Sequence, residues 1–367
     1  MTRTDGNSRS AVDEWNPEFG FWKFVASLFV VLLHSYTLFG EKGLFCTRGH
    51  LAVELFFVLT GFFFAKSVYK DARPVSSETI GAETWAFLAR KTRVFLPLYA
   101  IGFAASFAIL AGGEKHPFFR WKTLSDGLSD LLFLREFGLS RTPYFPVGWY
   151  LACMLAVLFL FYPFFRRWKN AFADWFAPGF AIIVVGLLFQ KFGTVAPGFG
   201  VRWGFVSGNL CRAAAEICMG VTAFRVAERL RNRRFRTVPR LLLRAAGSAS
   251  PFAAFALIAA GCPPSAILVV LLLFFVFAAL SGAGLSAAGV FPVEACRRLD
   301  RLSLSLFLTH SAVRYGLRRL AWNWPWLEGL FKARDSASLA LSLSMYLALS
   351  FLFAILCQTV CRAKRVR

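Results

Sequence analysis

Apolar residues come in long blocks along this chain, broken by short clusters of basic residues, glycine and proline. A helix of about 20 apolar residues is what crosses the roughly 30 Å hydrocarbon core of a bilayer. Ten such blocks can be marked: Phe21–Gly40, Leu51–Tyr69, Val94–Ala111, Val147–Phe165, Trp175–Phe192, Phe205–Phe224, Leu241–Cys262, Ala266–Gly284, Leu302–Trp322 and Ser338–Cys357. Arg244, Gly247 and Pro251 interrupt the seventh. None alternates apolar with polar residues, which argues against a transmembrane β-barrel. The remaining way for a backbone to satisfy its hydrogen bonds in lipid is the helix. The pattern predicts an all-α, polytopic integral membrane protein of about ten transmembrane helices. A single transmembrane domain is expected over residues 15–360, with residues 1–14 and 361–367 as tails and no appended soluble domain.

The connections carry the orientation. Those after even-numbered blocks hold Lys70, Arg73, Arg90, Lys91 and Arg93; then Arg166, Arg167 and Lys169; then the basic run from Arg225 to Arg244; then Arg297, Arg298 and Arg301. Short loops rich in Lys and Arg stay in the cytoplasm. Both termini are therefore expected to be cytoplasmic, and an even number of spans also puts them on one side. The connection at 112–146 is an exception, long, basic and aromatic, and predicts a re-entrant or surface element. Trp322, Trp324, Trp326 and Lys332 read as interfacial anchors, as do Trp149 and Tyr150 at the outer end of the fourth span.

Composition narrows the partners. The 42 Lys and Arg against 20 Asp and Glu would suit nucleic acid or anionic lipid. Their concentration in short connections makes them a topology signal first, so the bilayer is expected as partner and nucleic acid is not. Cys153, Cys211, Cys218, Cys262 and Cys357 lie in apolar blocks, and no C-x-x-C pair is present. Neither a disulfide framework nor a metal site is expected.

Ionisable groups inside the blocks are the candidates for chemistry, because such groups are costly in lipid and functional by default. The eleven-residue step from Lys23 to His34 puts both on one helix face, about 16 Å apart along the axis. A snorkelling lysine with a hydrogen-bonded structural histidine is the plainer account of the same pair. Glu54, in the first turn of the second block, needs a partner if buried. His34 is the nearest one along a short hairpin, and a carboxylate on imidazole raises its basicity. Alternatively, Glu54 faces external water. His310 follows Ser303, Ser305 and Thr309 and is either an oxyanion donor or a structural bridge between helices. Glu216 and Arg212 have the spacing of an intrahelical pair, and Gly61 and Gly220 are expected to let helices approach closely.

The stretch FWKFVASLFVVLLHSYTLFG followed by GHLAVELFFVLTGFFF resembles the opening of the bacterial acyltransferase 3 family of membrane-bound O-acyltransferases. The similarity continues at RKTRVFLPLYA, at VGWYLACMLAVLFLFYPFF and at LSLSLFLTHSAV, and covers nearly the whole chain. The resemblance implies His34, Glu54 and His310 as catalytic residues, with acyl-coenzyme A (usually acetyl-CoA) as donor and no permanently bound cofactor. It implies Lys23, Arg90 and Arg93 as the groups that hold the coenzyme's phosphates, for which arginine is well suited; ordinary inside-positive anchoring is the other account of the two arginines. Lys23 stands where the family commonly has arginine, keeping the charge without the bidentate fork. The implied acceptor is a hydroxyl of a cell-envelope polysaccharide or lipid-linked glycan, met from the outer face of a bacterial inner membrane, with 112–146 setting acceptor specificity. A transporter or flippase with an intramembrane proton relay is the alternative. No inverted halves or matched broken spans favour it.

Overall fold

A computed structural model of the chain describes residues 15–363 apart from 41–45, 113–120, 140–143, 199, 232, 234–235, 281–284, 286–287 and 334. Fourteen α-helices follow in order: α1 (Pro17–His34), α2 (Tyr36–Phe39), α3 (Ala52–Lys70), α4 (Ile80–Ala111), α5 (Trp121–Leu131), α6 (Gly148–Arg167), α7 (Lys169–Ala171), α8 (Ala177–Phe192), α9 (Gly208–Arg231), α10 (Thr237–Ala259), α11 (Pro264–Ala279), α12 (Val293–Asn323), α13 (Pro325–Lys332) and α14 (Ser336–Ala363). A two-stranded antiparallel hairpin, β1 (Arg202–Trp203) with β2 (Val206–Ser207), precedes α9. The protein is all-α and membrane-embedded, with no appended soluble domain evident among the described residues.

Seven helical segments are long and apolar enough to cross a membrane: Pro17–Phe39, Gly49–Lys70, Ile80–Ala111, Gly148–Arg167, Lys169–Phe192, Thr237–Ala259 and Ser336–Arg362. The other three expected spans are helices that do not meet that requirement. α11 is apolar but has 16 residues. α9 and α12 are long, at 24 and 31 residues, but carry charge along their length. Among the described residues, length and composition thus mark seven candidate spans, and the expected count of about ten is not confirmed. The expected boundaries also shift, because helices run past the apolar blocks into their charged flanks. α4 starts at Ile80 and α12 at Val293, so Arg90, Lys91 and Arg93 sit inside a helix rather than in a connection.

Local sequence sets several ends. Asn16 caps α1, its side chain accepting from the Glu18 N–H at 2.9 Å, with Pro17 in the first turn. Interior prolines (Pro97 in α4, Pro163 in α6, Pro251 in α10) are retained within helices, which membrane surroundings tolerate. The described part of the 112–146 connection contains α5, whose Trp121 is exposed while Asp130 is buried. The Asp130 carboxylate accepts from the Tyr144 and Phe145 N–H groups at 2.9 and 3.0 Å. That segment is a surface element anchored by a buried carboxylate. Lys115, His116, Arg120 and Arg141 lie outside the described residues.

Two helix pairs organise the interior, and both run parallel. α3 and α9 meet where Gly61 and Gly220 remove their side chains: a Cβ at Gly61 would collide with the Ile217 carbonyl, and one at Gly220 with the Val58 carbonyl. Backbone contact of this closeness is what small residues provide in membrane helix packing. α1 and α12 form the second pair, described below. On the side of the basic loops, Arg166 is fully buried and donates to the Asp71 and Arg73 carbonyls and the Glu83 carboxylate at 3.2–3.3 Å. It is a clamp on the α3–α4 connection rather than a solvated topology charge. The Arg73 guanidinium, hydrogen-bonded to Asp71, holds that carboxyl well below the usual range.

Gly61→Ala is expected to destabilise the detergent-solubilised protein by about 1–3 kcal/mol, the usual cost of overpacking. Gly186→Ala, where an added Cβ meets nothing within 4 Å, is expected to leave the melting temperature unchanged. Thermal unfolding of the two variants side by side checks the α3–α9 contact.

Candidate active site between α1 and α12

Polar contacts join α1 to α12 at nearly constant sequence offset, as parallel helices in register require. Lys23 forms an ion pair with Asp300. Ser303 Oγ donates to the Lys23 carbonyl at 2.9 Å, and Ser27 Oγ lies 2.8 Å from Ser303 Oγ. Eleven residues beyond Lys23, His34 Nδ1 lies 2.8 Å from His310 Nε2, the two rings nearly parallel at 14°. The face shared by Lys23 and His34 is therefore the face that packs on α12.

The hydrogen bonds fix the tautomers. His310 Nδ1 is 3.1 Å from the Leu306 carbonyl, which can only accept, so Nδ1 carries the proton and Nε2 a lone pair. His34 Nδ1 must then donate to His310, which leaves the His34 Nε2 lone pair free to take a proton. His310 is fully buried and His34 half-buried. One ring holds the other, and the more accessible one ends the chain.

Glu54 is elsewhere. It is fully buried, with both carboxylate oxygens on Arg212 of α9: the guanidinium Nε donates to one at 3.0 Å and Nη2 to the other. The same Nε reaches Glu216 one turn along α9 at 3.2 Å. The expected Glu54–His34 pair is therefore replaced by a Glu54–Arg212–Glu216 cluster. The physical reason is strength, since a fork-shaped guanidinium satisfies a buried carboxylate bidentately, and imidazole does not. The expected Arg212–Glu216 pair is present with Glu54 added to it. Trp149 and Tyr150, expected as interfacial anchors, face the protein interior. Both are buried, Trp149 with the Arg212 guanidinium over its ring at 5.4 Å, and Tyr150 donating to the Phe56 carbonyl at 3.3 Å with Thr60 at 3.2 Å.

A cavity of about 500 Å³ lies beside the α1–α12 seam, between α1, α3, α4, α6, α12 and α14. Its mouth carries Lys23, Lys91, Arg301 and Arg362 with Asp300; its walls are apolar and aromatic, including Phe56, Phe63, Tyr150 and Phe307. Along α12 it extends from Asp300 to Phe307, about 10 Å at 1.5 Å per residue, and His310 stands one turn further. Arg90 and Arg93 are exposed and do not line it. Lys91, which a reading of the arginines alone passes over, does.

Sequence reasoning found His34, His310, Lys23 and Glu54, of which the structure brings the first three to one seam. It missed Asp300, the Arg212–Glu54 contact, Lys91 and Arg314. Arg314 sits inside the ninth apolar block, where an ionisable residue was itself a signal. Among the described residues, no cluster of three or more His, Cys, Asp or Glu side chains could hold a metal ion.

Fold and site together define a helical membrane protein with a histidine pair one turn beyond a cationic-mouthed cavity. The chain matches the acyltransferase domain family known as acyltransferase 3 over residues 16–360, nearly its whole length, and belongs to it. It is a membrane acyltransferase. No curated protein and no solved structure matches it.

Removing one member of the Glu54–Arg212 pair is expected to cost about 3–5 kcal/mol by leaving a buried charge uncompensated. Replacing both, as Glu54→Leu with Arg212→Met, is expected to restore much of that loss. Melting temperatures of the single and double variants form the cycle that measures this. Activity recovered along with stability would make Glu54 a structural residue.

Proposed function

We propose that this protein transfers an acyl group, acetyl in the simplest case, from coenzyme A to a hydroxyl of a cell-envelope polysaccharide or lipid-linked glycan. The observation that carries the reading is the cavity whose basic mouth and apolar wall lead along α12 to the His34–His310 pair. An acyl-coenzyme A has the matching polarity, anionic phosphates at one end and a thioester on a long, less polar arm at the other. Lys23, Lys91, Arg301 and Arg362 hold the phosphates by charge. The pantetheine arm lies along the apolar wall, and the thioester reaches the histidines.

His34 Nε2 takes the proton of the acceptor hydroxyl as its oxygen attacks the thioester carbonyl carbon. The C–S bond breaks, the new ester C–O bond remains, and the leaving thiolate recovers a proton from His34. His310 holds the His34 ring in the tautomer that leaves Nε2 free and stabilises the imidazolium once formed. The basic mouth faces the cytoplasm in this reading, where the donor is made, and the acceptor comes to the opposite end. Arg90 and Arg93 take no part in donor binding, and Glu54 supports the helices around the site.

With purified protein and labelled acetyl-CoA, His34→Ala is expected to lower transfer by at least about 100-fold, the contribution of a positioned general base, without unfolding the protein. Lys91→Ala is expected to raise the donor KM roughly 10-fold through loss of a charge-assisted contact and to leave kcat near wild type. Arg90→Ala is expected to change neither. Full transfer in the His34 variant would remove the proposed base, and a KM effect at Arg90 without one at Lys91 would move the phosphate site away from this cavity.

A further inference from the structure

Arg314 is a buried cation without a counter-ion. It lies one helical turn past His310 on α12 and is 6 % exposed. Its guanidinium rests over the Tyr315 ring at 4.4 Å and hydrogen-bonds that residue's side chain, while its Nε has no hydrogen-bond partner. Among the described residues no carboxylate lies within ion-pair distance of it. Every other buried arginine named above has an acidic partner: Arg166 has Glu83, and Arg212 has Glu54 and Glu216. A buried charge left uncompensated is expensive, so an unpaired one beside a catalytic pair points to an anion that arrives in use.

A second observation lies one turn further on. His310, Arg314 and Arg318 follow at i, i+4 and i+8, which keeps them on neighbouring positions of one helix face. Arg318 lines a separate cavity of about 270 Å³ between α2, α12 and α13, together with Thr37, Trp322, Glu328 and Lys332. Glu328 is taken by Lys332 at 2.5 Å, and no described carboxylate lies within ion-pair distance of Arg318. The cavity therefore keeps an uncompensated positive charge and an indole. It stands at the opposite end of the seam from the donor cavity, next to α2, which follows His34 directly. Thr37 Oγ1 donates to the His34 carbonyl at 2.9 Å.

We propose that this second cavity, with Arg314 between it and the histidine pair, binds the acceptor through an anionic group, a carboxylate or a phosphate carried by the glycan. The inference rests on the acyl-transfer reading and adds the charge of the acceptor and the place where it docks. Arg318 draws the anion to the mouth, the Trp322 ring offers a flat face to a sugar, and Arg314 holds the charge near His34. Acceptor specificity then resides on α12 and α13 rather than in the 112–146 connection.

The test uses purified full-length protein, acetyl-CoA, and three soluble oligosaccharide acceptors: one with a uronic acid, its neutral methyl ester, and one with a sugar phosphate. Wild-type protein is expected to favour a charged acceptor over the ester, and the better of the uronate and phosphate names the source of the anion. Arg318→Ala and Arg314→Gln are each expected to raise the charged acceptor's KM about 10- to 100-fold. The donor KM and the slow transfer to water should stay unchanged, and Arg314→Lys should recover part of the loss. Arg318 is exposed, so its variant keeps the test open if Arg314→Gln fails to fold. Equal use of charged and neutral acceptors overturns the proposal. So does an Arg314→Gln protein that loses transfer to water in step with transfer to sugar, which would put Arg314 on the reacting carbonyl instead. If wild-type protein transfers nothing, the acyl-transfer reading fails separately. Calorimetric titration with the uronate and the sugar phosphate then reads the site itself: charge-dependent binding lost in Arg318→Ala supports it, and charge-independent binding overturns it.

Discussion

The register between α1 and α12 is the constraint on which the rest depends. These helices are far apart in sequence, run parallel, and are locked by an ion pair, a hydroxyl pair and a histidine pair at nearly constant offset. A slip of one residue would rotate each α12 partner by about 100° and break all three contacts together. The Lys23–Asp300 pair and the serines therefore act on the site although they lie about 10–16 Å from the histidines along the axis. They set the height and rotation at which His310 meets His34, and so decide which imidazole nitrogen is left free.

The second parallel pair supplies what the first lacks, a tight wall. α3 and α9 approach through Gly61 and Gly220 and are tied by the Glu54–Arg212–Glu216 cluster. Phe56 and Phe57 on α3, Tyr150 on α6 and Phe307 on α12 then close over the cavity, with ring centroids 4.7–5.9 Å apart. One pair of helices thus carries the reacting groups and the other the surface they work against. In a bilayer, where apolar contact alone gives helices little preference for one another, polar locks and small-residue contacts are what specify such pairing.

Much of this was legible in the sequence. Apolar blocks located every expected span as helix, the eleven-residue step put Lys23 and His34 on one face, and the glycines marked a close approach. The misses have physical causes. Glu54 was assigned the histidine nearest along the chain, whereas helix pairing brought it a guanidinium from α9, a partner that no local pattern reveals. Arg90 and Arg93 were favoured as arginines in a motif, yet it is Lys91 between them that lines the cavity, as the periodicity indicates. Phe87, Phe95 and Leu98 are buried on one stripe of α4, and Lys91, four residues from both phenylalanines, shares it and lies over the Phe87 ring at 5.6 Å. Arg90 and Arg93 are turned about 100° and 200° from Lys91, onto faces where side chains are exposed. Which residue faces the cavity is a question of helix phase.

The same reasoning explains why α12 fell short as an apolar span. From Asp300 through Ser303, His310 and Arg314 to Arg318, a polar stripe follows the i, i+3, i+4 rows of the helix. Its composition is the requirement for lining two cavities and holding a histidine between them. Compensation changes along it: Asp300 has Lys23, Ser303 has the Lys23 carbonyl, and His310 has His34 and the Leu306 carbonyl. Arg314 has the Tyr315 side chain but no counter-ion. A helix that gives its other buried charges of this stripe a counter-ion leaves Arg314 without one among the described residues. Its place one turn from His310, the residue that holds the proposed base, makes that charge a property of the site rather than of the fold.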